Sequence, residues 1–355
     1  MSSSEVAPTN VVPALVIPEP CYWHLDFVAD WFANRDAAAV LREIGGMEAA
    51  LQMHAHALGD PEPRMGHVER FRAWRRRHRV TRVRTFHAIQ SANPVARKMR
   101  WSLGDPNTIK DSTRLIRSQV CCAAAMRAPA EGESLLVIHP GFLYRDDIEV
   151  THRAIVEVLR RCAETAAERR VRLTVETEPE TRLGHRVGSD LKNLARIVED
   201  VNGDCDRRGL PSVAAITLDL EHNLITAWGN HDEVHRDIER YGALIEHVHV
   251  VRPLDLFDKI ERRSPASWRR RPGRLERMFT DSHCPGAHAT IAPEIRDTRF
   301  EGLILAALKE THWKRIGVFN LEVMPPWFYP SDMLRRGSRP HEILASLRLL
   351  RKLVS

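Results

Sequence analysis

Short runs of β-branched and other apolar residues alternate along this chain with longer stretches that are apolar on one helical face. Each short run stops at a polar residue, and this alternation is typical of repeated βα units. The runs predict strands at Val80–Phe86, Leu135–Ile138, Arg172–Glu176, Ala214–Asp219, Leu244–Val250 and Gly317–Val323, with a weaker one at Val12–Ile17.

The longer stretches predict helices, the clearest of which begins after Asp105. Asp105 followed by Pro106 indicates a helix start, because a carboxylate caps the first N–H groups and proline is tolerated in the first turn. The apolar face of this helix carries Ile109, Ile116, Val120 and Ala123. Further helices are predicted near Asp146–Glu164, Ser189–Asn202, His231–Tyr241, Arg299–Thr311 and His341–Leu353.

Six or seven recognisable βα units in 355 residues favour a closed eight-unit barrel over an open doubly wound sheet. No GxGxxG or GxxxxGK motif with a following Ser or Thr comes after a predicted strand, so the main signature of a nucleotide-binding sheet is missing. We therefore predict an α/β protein, a (β/α)8 TIM barrel with a helical N-terminal elaboration and a long basic loop insertion. Residues 1–79 would hold the first barrel unit and the elaboration, and residues 80–355 the rest of the barrel.

Two arginine-rich segments do not follow the βα repeat. Residues 34–79 have a helical pattern and end in the run Arg72–Arg79, and residues 252–280 form an insertion that contains Trp268–Arg274. Charge runs of this kind are most commonly solvated surface. The alternative is a surface that contacts the phosphate backbone of a nucleic acid.

Composition narrows the protein class only a little. With 43% hydrophobic residues and no run of eighteen apolar ones, the chain can bury a full core but has no membrane-spanning segment. Met1–Asn10 is polar and unlike a signal peptide, so we expect a cytoplasmic protein. Six cysteines without a CxxC pair favour reduced thiols, with Cys121 and Cys122 packed in a helix. The net charge of +6 allows a polyanionic partner and also suits enzymes that bind none.

Histidines and carboxylates occur at the ends of the predicted strands. In a parallel barrel these ends converge on one face, where catalytic residues lie. Imidazole nitrogens and carboxylate oxygens together are ligands for zinc, manganese or iron. One such histidine alone is more commonly a hydrogen-bonded structural residue, but a set that converges on one cleft indicates a functional site. The strand-end residues are His87, His139, Glu176, Asp219, His249 and Glu322.

Two local pairs add to this set. Asp219 and His222 are three residues apart just beyond a strand, so one turn brings both side chains to the same side. Asp281 and His283 form a second close pair.

The order of these motifs resembles the endonuclease IV and UV-damage endonuclease branch of the xylose-isomerase-like barrels, over about residues 80–330. The segment Leu103–Ser112 is also similar to the stretch between the first two histidines of that family. The matching motifs are His87, His139-Pro140-Gly141, Glu176, Asp219-Leu-Glu-His222, His249, Asp281-Ser-His283 and Leu321-Glu322.

The resemblance implies a cofactor of two or three divalent ions of zinc, manganese or iron, which activate water for attack on a phosphodiester. It implies that Glu176 bridges the ions, with Glu176, Asp219 and Glu322 as the catalytic carboxylates. The implied metal ligands are His87 and His139 on one ion, Asp219 with Glu322 on another, His222, Asp281 and His283 on the remainder, together with Glu176 and His249.

Outside the ligand set, the sequence departs from the family pattern. UV-damage endonucleases show His-Pro-x-Gln where this chain has His87-Ala-Ile-Gln90, and Glu176 is followed by Thr177-Glu178-Pro. His288 is an alternative ligand to His283. The candidate substrate-binding residues are Gln90, Arg252, Arg269, Arg270 and Arg271.

The sequence thus favours two catalytic functions over a third alternative, a non-catalytic binding role. The first is a metal-dependent phosphodiesterase or endonuclease that acts on abasic or damaged duplex DNA. The second is a metal-dependent isomerase, epimerase or lyase for a small-molecule substrate, because the same barrel carries sugar isomerases and epimerases in which two carboxylates and a histidine hold one or two metals.

Overall fold

A computed structural model gives the fold of the chain. It describes residues 12–17, 46–50, 65–78, 82–88, 103–127, 132–179, 186–227, 229–251, 298–315, 318–321, 345–346, 348–350 and 352–353.

Eight parallel strands close into a barrel in which each strand pairs with the next in sequence and the last pairs with the first. The closed barrel confirms the predicted fold. The strands are β1 (Val12–Ile17), β2 (Gly46–Ala50), β3 (Arg82–His87), β4 (Ser134–Ile138), β5 (Val171–Glu176), β6 (Ala214–Asp219), β7 (Ile245–Val250) and β8 (Val318–Leu321).

Helices follow most of the strands and return the chain to the amino-terminal end of the barrel. Asp105 caps the start of this helical segment through Asn107 N, and Pro106 opens a short 3-10 turn before the helix, as predicted. The predicted His341–Leu353 helix lies largely outside the described residues. The helices are α1 (Met65–His78), α2 (Ile109–Met126), α3 (Ile148–Arg169), α4 (Leu191–Arg207), α5 (Leu220–Thr226), α6 (His231–Tyr241) and α7 (Thr298–Glu310).

The main core lies between the strands and the surrounding helices. Ile116, Val120 and Ala123 on α2 are fully buried there, in line with the predicted apolar face. Cys121 and Cys122 are buried free thiols on the same helix. Within the described part of the chain, no helix is both long and apolar enough to span a membrane.

The helical prediction for residues 34–79 is only partly correct. Helix α1 confirms it at Met65–His78, but Gly46–Ala50 forms β2, paired with both β1 and β3. Met, Glu and Ala favour helix by intrinsic propensity, and here tertiary pairing overrides that preference. The division of the chain at residue 79 stays a prediction, although both strands before it belong to the same barrel.

The arginine run at the end of α1 has a structural role in its described part. Arg72 Nη2 donates to Ala125 O at 2.8 Å, and Arg75 Nη1 donates to Met126 O at 3.2 Å. Both carbonyls belong to the last turn of α2, where arginine satisfies helix-end acceptors. This helix end leads into the amino-terminal end of β4, opposite the strand ends that carry the candidate ligands. These two arginines therefore bind helix-end carbonyls at the end of the barrel away from the candidate ligands, and a contact of the arginine run with a nucleic acid stays a prediction.

Candidate metal centre

Five of the predicted ligands lie together at the carboxyl ends of successive strands. His87, Glu176 and Asp219 are the last residues of β3, β5 and β6. His139 directly follows β4, and His249 is the next-to-last residue of β7. All five side chains are at most 3% exposed. The closed barrel is what makes these ends meet, because they are scattered over about half of the chain.

Glu176 lies at the centre of the cluster and contacts three histidines through both of its oxygens. Oε2 is 2.6 Å from Nε2 of His139 and 3.1 Å from Nε2 of His87. Oε1 is 2.9 Å from Nδ1 of His249. The ring nitrogens of His87 and His139 are themselves 3.2 Å apart.

Two groups of potential metal ligands share this carboxylate. One comprises His87, His139 and Glu176, and the other comprises Glu176, Asp219 and His249. In each group the ligand atoms lie within 4.8 Å of one another. A carboxylate that belongs to both groups can bridge two cations, one on each oxygen.

Hydrogen bonds on the side away from the cluster fix the tautomers of three histidines. Nδ1 of His87 faces the carbonyl of Ala88 at 3.0 Å, and Nδ1 of His222 faces the carbonyl of Thr177 at 2.6 Å. Nδ1 of His139 faces Oε1 of Glu178 at 3.1 Å. Because these partners only accept, each Nδ1 carries a proton and each Nε2 is the atom that can bind a metal.

Asp219 is held by the turn that starts α5. Its Oδ1 accepts from the backbone N–H of His222 at 2.8 Å, an N-cap contact, and its own N–H donates to Thr177 Oγ1 at 2.8 Å. Its Oδ2 is 3.9 Å from Nδ1 of His249 and 3.8 Å from Nδ1 of His222. The strand end and the helix cap together thus orient Oδ2 of Asp219 towards the cluster.

The charges within the cluster are strongly coupled. Burial raises the pKa of the Glu176 carboxyl, but His139 and His249 outweigh burial and hold that pKa well below its usual range. Burial lowers the pKa of His139, but Glu176 and Glu178 outweigh it and raise that pKa to about 10. Burial likewise raises the pKa of Glu178, whereas Arg186 and His139 lower it to about 2.

These residues fit a divalent cation. Nε2 of His87, Nε2 of His139 and Oε2 of Glu176 converge on one point, and three lone pairs that face one another need a positive charge between them. A proton on His139 meets that need in the metal-free protein. A transition metal would meet it with all three donors as ligands, and mixed nitrogen and oxygen donors suit zinc, manganese or iron.

Several predicted site residues lie outside the described part of the chain, so their roles stay predictions. They are Glu322, Asp281, His283, His288, Gln90, Arg252, Arg269, Arg270 and Arg271. Among the described residues, His222 belongs to neither of the two ligand groups. The third cation that the resemblance implies would also need Asp281 and His283 as ligands.

Sequence reasoning assigned no role to Glu178 and Arg186, which lie directly behind His139. Glu178 Oε2 accepts from Gly141 N at 2.6 Å, and Oε1 accepts from Arg186 Nη1. The signal for Glu178 was its spacing, because residues two apart in extended chain point to the same side. Arg186 had no such signal, since it contacts Glu178 across a loop.

The chain belongs to the xylose isomerase-like TIM barrel family, whose model matches residues 38–305. This confirms the superfamily that the order of motifs indicated, and the members of this family are enzymes. No protein of curated function matches the chain significantly.

Solved structures with the same fold include two sugar-converting enzymes and a zinc-bound protein. D-allulose 3-epimerase from Methylomonas sp., in complex with D-allulose, is 13% identical with a TM-score of 0.55, covering 96% of this chain and 97% of its own. A sugar phosphate isomerase/epimerase from Parabacteroides distasonis is 11% identical with a TM-score of 0.52, covering 100% of both chains. The IolI protein with a bound zinc atom is 13% identical with a TM-score of 0.51, covering 96% and 98%. At these identities the likenesses show the fold alone.

Proposed function

We propose that this protein is a metal-dependent phosphodiester hydrolase with a binuclear core on Glu176, and that its substrate is abasic or damaged duplex DNA. The observation that carries the proposal is the pair His87 and His139 on one oxygen of Glu176, opposite His249 on the other oxygen. A single-metal isomerase of this barrel needs two carboxylates and one histidine. The two additional histidines supply a second ligand group that such an enzyme does not require.

Each side of Glu176 has its own ligands. His87 and His139 would hold one cation with Oε2, and Asp219 and His249 would hold the other with Oε1, joined by Glu322 as the family resemblance implies. Bound cations in such a pair supply an activated water and neutralise charge on the phosphate and the leaving oxygen.

The protein's own side chains set the geometry and hold the central ligands away from bulk solvent. The near-complete burial of Glu176 and His249, which are both 0% exposed, gives their charges more effect than they would have in water. His222 would add to a third cation together with Asp281 and His283. Gln90, Arg252 and Arg269–Arg271 remain the proposed contacts to the nucleic acid.

A second candidate is a small-molecule isomerase or epimerase. Glu176, Asp219 and His249 alone make a group of two carboxylates and one histidine, which suffices for one metal beside a carbonyl substrate. The two sugar-converting enzymes that share the fold are consistent with this candidate. In this case His87 and His139 would be dispensable for the chemistry.

One experiment separates the two candidates. Metal-free protein is reconstituted with zinc or manganese, its metal content is measured, and it is assayed for cleavage of an abasic-site duplex and for exchange of a ketose α-proton in heavy water. We expect two or three ions per chain, cleavage of the duplex and no exchange.

The variant His87→Ala sharpens this comparison. As a hydrolase the protein should lose one metal and its cleavage activity, whereas an isomerase should keep its exchange activity. His152→Ala is the matched control, because His152 is also buried but pairs with Asp200 on the outer helices, 2.7 Å from Nε2 to Oδ2. Proton exchange that survives His87→Ala, with abasic and UV-damaged duplexes left intact, would establish the isomerase instead.

A further inference from the structure

A carboxylate outside the two ligand groups is hydrogen-bonded to one of the candidate ligands, on the side away from the cluster. Glu178 is 1% exposed and accepts three hydrogen bonds, from Nδ1 of His139 at 3.1 Å, from the N–H of Gly141 at 2.6 Å and from Nη1 of Arg186. Each of these contacts fixes the carboxylate in one place, and only the contact to His139 leads into the cluster.

We infer that Glu178, held in place by Arg186, is a positioning residue that orients His139 as a ligand for the cation on the Oε2 side of Glu176. This inference rests on the proposed metal centre. A carboxylate behind a ligating histidine fixes its tautomer and ring orientation and makes the opposite nitrogen a stronger donor. His87, on the same side of Glu176, is oriented by the neutral carbonyl of Ala88.

Arg186 is placed to keep Glu178 rigid. Its side chain is 3% exposed and its guanidinium lies over the ring of Phe142, 4.5 Å from the centroid. Phe142 and Arg186 also form an antiparallel bridge. The loops that follow β4 and β5 are therefore tied together at the point where Glu178 meets His139.

Backbone hydrogen bonds strengthen the same connection. Val187 N donates to Gly141 O at 3.1 Å, and Glu178 N donates to Gly188 O at 3.0 Å. Glu178 is thus held through its backbone as well as through its carboxylate, so it offers His139 a fixed hydrogen-bond partner.

Glu178 is connected to only one of the two proposed cation sites. Glu178 contacts the ligands through His139, which is on the Oε2 side of Glu176, whereas His249 and Asp219 lie on the Oε1 side. Removing the charge of Glu178 should therefore weaken one cation site and leave the other unchanged. A purely structural role would instead affect both sites through loss of the fold.

Cobalt(II) titration of the full-length metal-free protein tests this inference. We expect wild-type protein to bind cobalt at two or more sites, and Glu178→Gln to weaken one of them by roughly 10- to 100-fold with the remaining affinities unchanged. The contact-shifted imidazole N–H signal of His139 in the cobalt form should also move, since its acceptor changes from a carboxylate to an amide oxygen.

The control is Glu246→Gln. Glu246 is also buried and paired with an arginine, 2.8 Å from Arg172 Nε to its Oε2, but it lies near the start of β7, away from the cluster. This variant should keep every cobalt affinity. If Glu178→Gln does not fold, Arg186→Lys gives the second test, because it loosens the carboxylate and keeps the charges, and a smaller loss at the same site is expected.

The possible outcomes distinguish failure of the role of Glu178 from failure of the proposed metal centre. Wild-type protein that binds no cobalt would overturn the metal centre itself. Wild-type binding at two sites, with Glu178→Gln at the same affinities or weakened equally at all of them, would overturn the role of Glu178 alone.

Discussion

Oε1 of Glu176 lies 2.9 Å from Nδ1 of His249, although the two residues are 73 positions apart and stand on strands β5 and β7 with β6 between them. A flat sheet would keep side chains on such strands about 10 Å apart. The closed barrel turns both strand ends inward and brings the side chains into contact. The same carboxylate meets His139 through its other oxygen, so its place between two ligand groups is a consequence of barrel closure.

The first prediction concerns that central carboxylate. Glu176→Gln should abolish activity and reduce metal content at both sites, because an amide offers one neutral oxygen where a bridging carboxylate offers two charged ones. Metal content per chain and turnover of the reconstituted protein measure this. Full activity in the variant would mean that Glu176 does not bridge the cations.

The second prediction concerns Gly188, which lies close to the backbone of Glu176 in the candidate metal centre. A Cβ atom at this position would lie 2.7 Å from both the carbonyl oxygen of Glu176 and the N–H nitrogen of Glu178. Gly188→Ala must therefore displace the backbone that carries Glu176, and we expect weaker metal binding together with a lower melting temperature.

The matched control is Gly203→Ala on helix α4. Its Cβ would meet only the end of the flexible Arg207 side chain, at 3.7 Å. Alanine is the better helix former by about 1 kcal/mol, so this variant should be as stable as wild type or more so, with unchanged metal binding. Equal metal binding in the two alanine variants would contradict the proposed crowding at Gly188.

The third prediction is a pH dependence of stability that is independent of the metal centre. The hydrogen bond from Arg160 lowers the pKa of Asp204 to about 2, against the opposing effect of burial. The folded pKa lies below the ordinary value of 3.8, so the stabilisation is fully present above about pH 4 and is lost as the pH falls towards 2.

The variant Asp204→Asn should therefore be less stable than wild type at pH 7, by about 1 kcal/mol after allowance for solvent screening. The difference should narrow as the pH falls from 5 to 3, as measured by urea unfolding. Asp206→Asn, on the exposed side of the same helix, should show no such narrowing. A difference that stays constant with pH would rule out the ion pair as its cause.

The fourth prediction concerns the basic insertion. If the substrate is duplex DNA, neutralising Arg269, Arg270 and Arg271 should weaken DNA binding at low salt. The slope of log affinity against log salt should also fall, by about 0.9 for each phosphate that these arginines would otherwise neutralise. Arg196→Gln is the control, since this arginine pairs with Glu149 on the outer helices, with 2.7 Å between Nη2 and Oε2. An unchanged salt slope in the triple variant would remove DNA as the partner of this loop.

The fifth prediction decides between two candidate ligands for the third cation. His283→Ala should lose metal and activity if Asp281 and His283 form the ligand pair that the family resemblance implies, whereas His288→Ala should affect both far less. Metal analysis of the two variants side by side measures this, and the reverse result would move the site five residues along the chain.

The amino-acid sequence alone determined where most strands lie and which residues stand at their ends. Alternation of apolar runs and amphipathic stretches is a local property, so β4 to β7 were predicted to within a few residues. His231–Tyr241 was predicted with its observed bounds. Strand β2 was missed because Gly46–Ala50 contains no β-branched residue, and only pairing with β1 and β3 makes it a strand.

Only the tertiary structure decided which of these residues touch. The contact from His87 to Glu176 spans 89 positions, and it depends on the curvature of the barrel, which local pattern does not encode. The same holds for Arg72, whose place in a charge run predicted a solvated surface or a phosphate contact and gave no sign of its hydrogen bond to the end of a helix 53 positions away. Glu178 meets both His139 and Arg186 across two loops, because burial forces each charged group to find a partner that the sequence does not place beside it.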